Sequence, residues 1–175
     1  MTKSGSAMAH TLIRPAARAD LPRLTEIYNY YVLTSPVTFD LEPLTVEQRV
    51  GWFQEHADTG RHRLLVADEH GLVVGYASTS RFRDRAAYDT TVEASIYCAP
   101  EAVGRGIGSA LYRELFTAIG GEDINRIAAG ITLPNEASVA LHRSFGFVQV
   151  GVFSQNGRKF DRYWDVAWFE RPLAG

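Results

Sequence analysis

Hydrophobic residues recur along the chain with two periods, alternating in some segments and following helical spacing in others. Strands are predicted where residues alternate or form short apolar runs, at 11–14, 63–68, 72–82, 92–98, 126–133, 148–154 and 159–169. Helices are predicted after Asp20 as N-cap, from a Thr45–Gln48 capping box to about Ala57, from 107 to 120, and from Pro134 to about Phe145. Asn156-Gly157 predicts a two-residue turn between the last two strands. Antiparallel and crossover connections together indicate a mixed α/β sheet.

Composition and charge narrow the class of protein. The chain has 175 residues, of which 46 % are apolar and 22 % charged, which excludes a disordered, collagen-like or coiled-coil chain. This length predicts one domain over residues 11–172, preceded by a disordered tail at 1–10. A net charge of −2 is atypical of a general nucleic-acid or anionic-membrane binder. The single cysteine excludes an intrachain disulfide, and no apolar stretch suggests export or a membrane span, so we expect a cytoplasmic protein.

A glycine-rich segment between a predicted strand and a predicted helix indicates an anion-binding loop. Gly104, Gly106 and Gly108 occupy every second position, so backbone N–H groups can approach a ligand at a helix N-terminus, where anions are stabilised. A P-loop requires a lysine after its last glycine, and a dinucleotide fingerprint requires glycine where Ser109 stands. These two differences disfavour a nucleotide-binding protein and leave a pyrophosphate loop of another type.

Together with a second motif downstream, this loop resembles the GNAT acetyltransferase superfamily. The acyl-CoA pyrophosphate loop of that family has the pattern R/Q-x-x-G-x-G/A, which the segment from Val103 to Gly108 matches with valine at the first position. The later helix of the family is matched by Asn135 and Gly146-Phe147, and His142 stands where most members have a catalytic tyrosine. The resemblance implies a mixed, mostly antiparallel sheet that is flanked by helices and splayed at the acetyl-CoA site. It also makes His142 a candidate acid.

Over residues 12–170 the chain is similar to phosphinothricin N-acetyltransferases and methionine sulfoximine acetyltransferases in particular. The similarity includes loop segments as well as predicted core, at 13–16, 27–29, 37–39, 87–89, 91–97, 133–138 and 157–166. It implies transfer of an acetyl group from acetyl-CoA to the amine of a small anionic amino acid, in a homodimer. It also implies acetyl-CoA contacts at Ile96, Tyr97, Cys98, Gly104, Arg105, Gly106, Ile107, Gly108, Ser109 and Asn135.

Glu93 is the candidate general base. Alternation along the strand 92–98 places it on the face opposite Val92 and Ala94, just before the glycine loop. An amine with a pKa of about 10.4 is protonated at neutral pH, and deprotonating it costs roughly 4–5 kcal/mol. A carboxylate can accept that proton, directly or through water, and the resemblance assigns this role to Glu93.

Three arginines at alternate positions predict how the acceptor is recognised. Arg81, Arg83 and Arg85 are compatible with a solvated strand edge or with a cationic gate that binds a phosphinate or carboxylate. The resemblance implies a substrate pocket bounded by Phe39, Arg83, Asp84, Arg85, Tyr88, Glu93, Ala94 and Ser95.

Two other functions remain compatible with the pattern. One is a GNAT enzyme that acts on a protein N-terminus or a lysine side chain, although the polar loop 83–91 favours a closed site and a small substrate. The other is an idle acyl-CoA-binding module, against which the retained Glu93 argues. The five histidines lack metal-ligand spacing, so no metal is expected. Phosphinothricin, methionine sulfoximine, methionine sulfone and an arsenical analogue all remain open as acceptors.

Overall fold

The computed structural model describes residues 11–173, so the predicted tail at 1–10 lies outside the described residues. Its strands are β1 (Leu12–Pro15), β2 (Leu64–Glu69), β3 (Leu72–Arg81), β4 (Thr91–Cys98), β5 (Arg126–Leu133), β6 (Val148–Lys159) and β7 (Arg162–Pro172). Its α-helices are α1 (Leu21–Thr34), α2 (Val50–Gln54), α3 (Ile107–Ala118) and α4 (Glu136–Ser144). None of the helices described is long and apolar enough to cross a membrane.

The strands form one sheet in the order β1-β2-β3-β4-β5-β7-β6. Neighbouring strands run antiparallel except β4 and β5, which are parallel. These two pair only from Thr91–Arg126 to Glu93–Ala128, whereas β4 continues to Cys98 and β5 to Leu133. The strands therefore separate toward their C-terminal ends and leave a gap in the sheet. The predicted fold class, a mixed and mostly antiparallel sheet splayed at one strand pair, is confirmed.

Helices cover both faces of the sheet near this gap. On one face, Tyr97 of β4 contacts Tyr28 of α1 with ring centroids 5.3 Å apart, and Tyr76 of β3 contacts Trp52 of α2 at 5.9 Å. Successive strand residues point to opposite faces, so the neighbouring Gly75 lies on the other face, where it packs against Ile107 of α3. Glu93 shares the α1 face with Tyr97, because the two are an even number of residues apart on β4.

The predicted turn at Asn156-Gly157 is wrong. The hairpin turns instead at Phe160-Asp161, where both residues have positive φ, 52° and 55°, as a two-residue turn of type I′ requires. Gly157 lies within β6 opposite Trp164, after an irregularity in the pairing that begins at Phe153. Glycine is required at position 157 for another reason, because a Cβ there would overlap the ring of Phe39.

Two predicted helix starts differ in outcome. The capping box is confirmed, since the Thr45 N–H donates to Gln48 Oε1 at 2.7 Å and the Gln48 N–H donates to Thr45 Oγ1 at 3.2 Å. The helix that follows ends at Gln54, earlier than the predicted Ala57. Asp20 does not cap α1 through its side chain. Its carboxylate instead accepts hydrogen bonds from Arg14, at 2.8 and 2.9 Å, because that guanidinium competes for the oxygens.

Candidate active site

A cleft of about 810 Å³ lies in the gap between the diverging ends of β4 and β5. β4 lines it with residues 94–98, and β5 lines it with residues 130–132. The segment from Ala102 to Ser109, without Arg105, forms a second wall, and residues of α4 close to Asn135 and His142 form a third. The split in the sheet therefore creates the cavity, and the glycine loop lies at its edge.

The glycine loop presents backbone to this cleft. Gly104 and Gly106 have φ of +78° and +81°, a conformation that favours glycine, and a Cβ on either would meet no protein atom within 4 Å. Gly106 is the N-cap of α3 and has no side chain that could bond to the free N–H groups of the first turn. Those donors and the positive end of the helix dipole make this a site suited to a pyrophosphate.

Two predicted members of the loop serve other purposes. A Cβ on Gly108 would lie 3.2 Å from Leu141 and 3.4 Å from Ile96, so this glycine allows α3 to pack closely against α4 and β4. The side chain of Arg105 does not line the cleft; it donates to Glu69 of β2, at 2.7 Å to one carboxylate oxygen and 3.0 Å to the other. Only Gly104 and Gly106 match the expectation that glycine lets a ligand approach the backbone.

The end of β4 offers unpaired amides to the gap. Two backbone hydrogen bonds at the ends of β4 show which way its backbone groups point. At the start of β4 the Thr90 carbonyl accepts from the Arg126 N–H of β5 at 3.2 Å, and at its end the Ala99 N–H donates to the Val74 carbonyl of β3 at 2.8 Å. Because backbone groups of a strand point alternately to its two neighbours, the N–H groups of Ile96 and Cys98 face the gap, and that of Tyr97 faces β3. Two of the three predicted amides can therefore polarise a bound carbonyl. Burial raises the pKa of the Cys98 thiol to about 11.

Asn135 and His142 lie at opposite ends of α4. The Asn135 side chain accepts from the Ser138 N–H at 3.1 Å, so it caps the helix beside the cleft. His142 is buried, with Nδ1 2.8 Å from the Ser138 carbonyl and Nε2 2.9 Å from the hydroxyl of Tyr112. A carbonyl only accepts, so Nδ1 carries the proton in the neutral ring, and Nε2 accepts from Tyr112. Burial lowers the pKa of His142, which favours this neutral form.

The carboxylate of Glu93 is half-buried and makes no hydrogen bond to residues 11–173. Burial raises its pKa above the ordinary value, and the charge of Arg83 opposes that shift. A carboxylate of this kind keeps its lone pairs free and holds a proton more tightly than an exposed one. These are properties of a general base.

An aromatic cluster supports Arg83 above this region. Its guanidinium lies 4.3 Å from the ring centroid of Phe82 and 5.8 Å from that of Trp168. Phe82 in turn contacts both Tyr88 and Trp168 at 5.9 Å. Arg83, Asp84, Arg85 and Tyr88 are all exposed, so the loop presents its charges to solvent at the surface of the protein.

Phe39 lies apart from the residues that line the cleft. Its ring covers Gly157 of the β6–β7 hairpin, while Ser35, Pro36 and Val37 of the same loop line the cavity. The structure thus joins Phe39 to the hairpin, a contact that sequence spacing does not indicate.

Most predicted site residues converge on the gap, and sequence reasoning missed others. Ala94, Ser95, Ile96, Tyr97, Cys98, Gly104, Gly106, Ile107, Gly108, Ser109, Asn135 and His142 line the cleft. Sequence reasoning missed Tyr112, which occupies an apolar position of a helix and so looks like core. It also did not indicate Tyr31, which lines the cleft and donates to the Cys98 carbonyl at 2.6 Å.

A second cavity of about 440 Å³ lies beside Ser80 and Arg81, lined also by Glu55, His56, His62 and Asp84. Despite its two histidines and two carboxylates, residues 11–173 contain no group of three His, Cys, Asp or Glu side chains placed to hold a metal ion.

Comparison with known proteins gives consistent results. The family model described as Acetyltransferase (GNAT) family matches residues 24–147. The chain is 52 % identical over 167 residues to a phosphinothricin N-acetyltransferase of Streptomyces coelicolor, covering 94 % of this chain and 98 % of that relative. It is 34 % identical over 161 residues to an L-methionine sulfoximine/L-methionine sulfone acetyltransferase of Salmonella typhimurium, covering 92 % and 94 %.

One solved structure is similar to this protein in both fold and sequence. It is a GNAT superfamily phosphinothricin acetyltransferase from Sinorhizobium meliloti, crystallised in complex with acetyl-CoA. The two structures superpose with a TM-score of 0.86 at 38 % sequence identity, covering 93 % of this chain and 88 % of the other.

Proposed function

Because the chain belongs to the acetyltransferase (GNAT) family, we propose that it transfers the acetyl group of acetyl-CoA to the amine of a small anionic amino acid. Acetyl transfer from acetyl-CoA follows from the family; the acceptor and the residue roles are the proposal. The observation that supports it is the half-buried carboxylate of Glu93, which has no hydrogen-bond partner among residues 11–173 and lies within range of the charge of the exposed Arg83. Glu93 would accept a proton from the ammonium group of the acceptor, and Arg83 would bind the acidic group of the same acceptor molecule.

The cleft fits acetyl-CoA by shape and by its donors. Gly104 and Gly106 leave open space beside the backbone, and the first N–H groups of α3 would hold the pyrophosphate. The gap-facing amides of Ile96 and Cys98 would hold the acetyl carbonyl, where negative charge develops. Acetyl-CoA supplies an acyl group activated as a thioester, and the chain's part is to orient it against the amine.

Two protons leave the acceptor's ammonium group during the reaction. Glu93 accepts the first and frees the lone pair that attacks the thioester carbon. The second leaves the nitrogen once the new C–N bond has formed, while the C–S bond breaks and the sulfur gains one proton. The net result is an amide, a thiol and one proton released to solvent.

We propose that His142 acts as the acid by passing its proton through the hydroxyl of Tyr112. In its protonated form His142 has a donor for each of its contacts, Nδ1–H to the Ser138 carbonyl and Nε2–H to the Tyr112 oxygen. The Tyr112 proton is then free to turn toward the cleft, which this side chain lines. As Tyr112 gives its proton to the sulfur, it takes one from His142. The lowered pKa of His142 makes its protonated form a stronger donor.

We propose, finally, that two copies associate through β6 in the cytoplasm. β6 is an edge strand of the sheet, and edge strands offer unpaired backbone groups to a partner. It also exposes a row of apolar side chains, Val148, Val150, Val152 and Phe153. Sedimentation of the wild-type protein and of Val150→Lys tests this, since the charge should favour the monomer. A wild-type protein that sediments as a monomer refutes the dimer.

The acceptor proposal is tested by following thiol release from acetyl-CoA with a panel of amines. The panel contains phosphinothricin, methionine sulfoximine, a neutral amine of similar size and a peptide with an N-terminal alanine. We expect release with the anionic amino acids and little with the neutral amine. Efficient acetylation of the peptide alone would move the protein to the class that modifies N-termini. No release with any amine, despite binding of acetyl-CoA, would support an idle binding module.

A further inference from the structure

The far end of the β6–β7 hairpin extends beyond the rest of the sheet. β7 pairs with β5 only as far as Asp165, which lies opposite Leu133, so the hairpin residues from Gly157 to Trp164 continue past the end of β5. This overhang lies at the open end of the gap, since Leu133 is the last residue of the diverging strand. It therefore reaches toward the loop 35–43, three residues of which line the cleft.

Two contacts join the hairpin to this loop. The amine of Lys159, a side chain that is only 3 % exposed, donates to the Thr38 carbonyl at 2.8 Å. The ring of Phe39 covers Gly157 so closely that the glycine has no room for a Cβ. A buried ammonium on a backbone carbonyl and a glycine under an aromatic ring are both specific contacts, because neither tolerates an ordinary replacement.

The hairpin is itself held in shape by its own side chains. Trp164 Nε1 donates to the Lys159 carbonyl at 2.9 Å, which fixes the backbone that carries the amine. The Asp165 carboxylate accepts from the Gln155 N–H at 2.8 Å, across the irregular part of the pairing. These bonds give Trp164 and Asp165 a structural role within the segment 157–166 that the sequence singled out.

On its other side the loop is attached to the β4 half of the sheet. The Tyr28 hydroxyl of α1 donates to the Asp40 carboxylate at 2.6 Å and lies 2.5 Å from Thr38 Oγ1. Tyr28 also contacts Tyr97 of β4. The loop thus connects the two halves of the sheet at the open end of the gap, where the β4–β5 pairing has already ended after Glu93.

We propose that the hairpin segment from Gly157 to Asp165 is a clamp that holds the loop 35–43 across the gap, and that Gly157 and Lys159 are positioning residues for Phe39 at the acceptor site. The clamp rests on the proposed function, because its consequence is the affinity and selectivity for the amine. The loop residues that the clamp holds are Thr38 and Phe39, and neither lines the cleft assigned to acetyl-CoA, unlike Ser35, Pro36 and Val37 of the same loop. The clamp should therefore act on the acceptor and not on acetyl-CoA.

The test compares Gly157→Ala with Gly121→Ala. Both glycines have φ values that alanine can adopt, but Gly121 lies in the exposed turn after α3, and a Cβ there meets nothing within 4 Å. We expect Gly157→Ala to raise KM for the best acceptor of the panel by about tenfold or more, because small displacements at a site cost large factors. The dissociation constant of acetyl-CoA should not change, and Gly121→Ala should behave as wild type in both measurements. Equal KM values for the two variants overturn the proposal.

Hydrogen exchange separates the clamp from the proposed function, because it needs no substrate. Amides between Thr38 and Leu44 should exchange about tenfold faster or more in Gly157→Ala and in Lys159→Met than in Gly121→Ala. Unchanged exchange refutes the clamp even if the enzyme acetylates amino acids. Faster exchange with no acetylation of any amine by the wild type leaves the clamp in place and refutes the acceptor assignment.

A double variant guards against general damage to the fold. If Gly157→Ala is less stable because its methyl group meets the Phe39 ring, then Phe39→Ala should remove that penalty. The pair Phe39→Ala/Gly157→Ala should therefore unfold at the same temperature as Phe39→Ala alone. A further drop in the double variant would mean that Gly157 is needed for the hairpin itself, which contradicts its role under Phe39.

Discussion

The proposed donor site and the proposed acceptor site are built in different ways. The proposed donor site uses main chain, namely the positive-φ glycines Gly104 and Gly106, the first turn of α3 and the free amides at the end of β4. The proposed acceptor site uses side chains from separate segments outside the cleft lining, with Glu93 on β4, Arg83 in the loop after β3 and Phe39 in the loop after α1.

This difference explains which sequence changes each side tolerates. Val103 replaces the arginine or glutamine of the family pattern, yet it lies exposed at the cleft and leaves the N–H groups of the loop untouched. A donor site made of backbone survives such a replacement. An acceptor site made of side chains changes its selectivity with each substitution, so one fold can serve many amines.

The largest expected effect comes from removing the base. Glu93→Gln keeps the shape of the side chain but cannot accept a proton, so kcat should fall by about 10²-fold or more. Steady-state kinetics and calorimetry together check this, since acetyl-CoA should still bind with wild-type affinity. A loss below about threefold would demote Glu93 to a positioning residue.

The donor side should respond to a backbone change. Gly106→Ala places a methyl group where the pyrophosphate would approach, and we expect acetyl-CoA to bind about tenfold more weakly or worse. Gly71→Ala is the matched control, because Gly71 has a similar φ of +87° and open space around it but lies in the β2–β3 turn. Equal affinity in the two variants would show that the loop does not hold the cofactor.

The proton path to sulfur predicts a smaller effect. Tyr112→Phe removes the hydroxyl that joins His142 to the cleft, so kcat should fall by roughly tenfold or more while KM changes little. Tyr30→Phe is the control, since Tyr30 also lines the cleft but makes no contact with His142. If the two variants are equally active, the sulfur takes its proton from solvent.

The smallest effect is a shift in the pH profile. Activity requires ionised Glu93, so it is lost as the pH falls through the pKa of that carboxyl, which burial holds above the ordinary value. Arg83 lowers this pKa; Arg83→Gln should therefore raise it and move the acidic limb of kcat/KM to higher pH. Because Arg83 is exposed, added salt should reduce the difference. Arg85→Gln should leave the limb in place, and a shift in both variants would point to a general field effect.

Sequence alone was sufficient for the contiguous parts of the site. The glycine loop lines the cleft as its spacing predicted, because spacing is a local property, whereas the role of Glu93 stays a prediction. Tyr112 was missed, because in sequence a tyrosine in an apolar helix stripe is indistinguishable from core. The hairpin turn was misplaced at Asn156-Gly157, since the local dipeptide rule does not include the ring of Phe39, which determines why that glycine is present.

We propose that donor binding depends on main chain and acceptor chemistry on side chains. The dissociation constant of acetyl-CoA tests this, measured by calorimetry for a folded variant that combines Arg83→Gln, Glu93→Gln and Phe39→Ala. We expect wild-type affinity for acetyl-CoA together with loss of amine acetylation. A weakening of acetyl-CoA binding by about tenfold or more would contradict it, because that is the loss expected of a donor-side change.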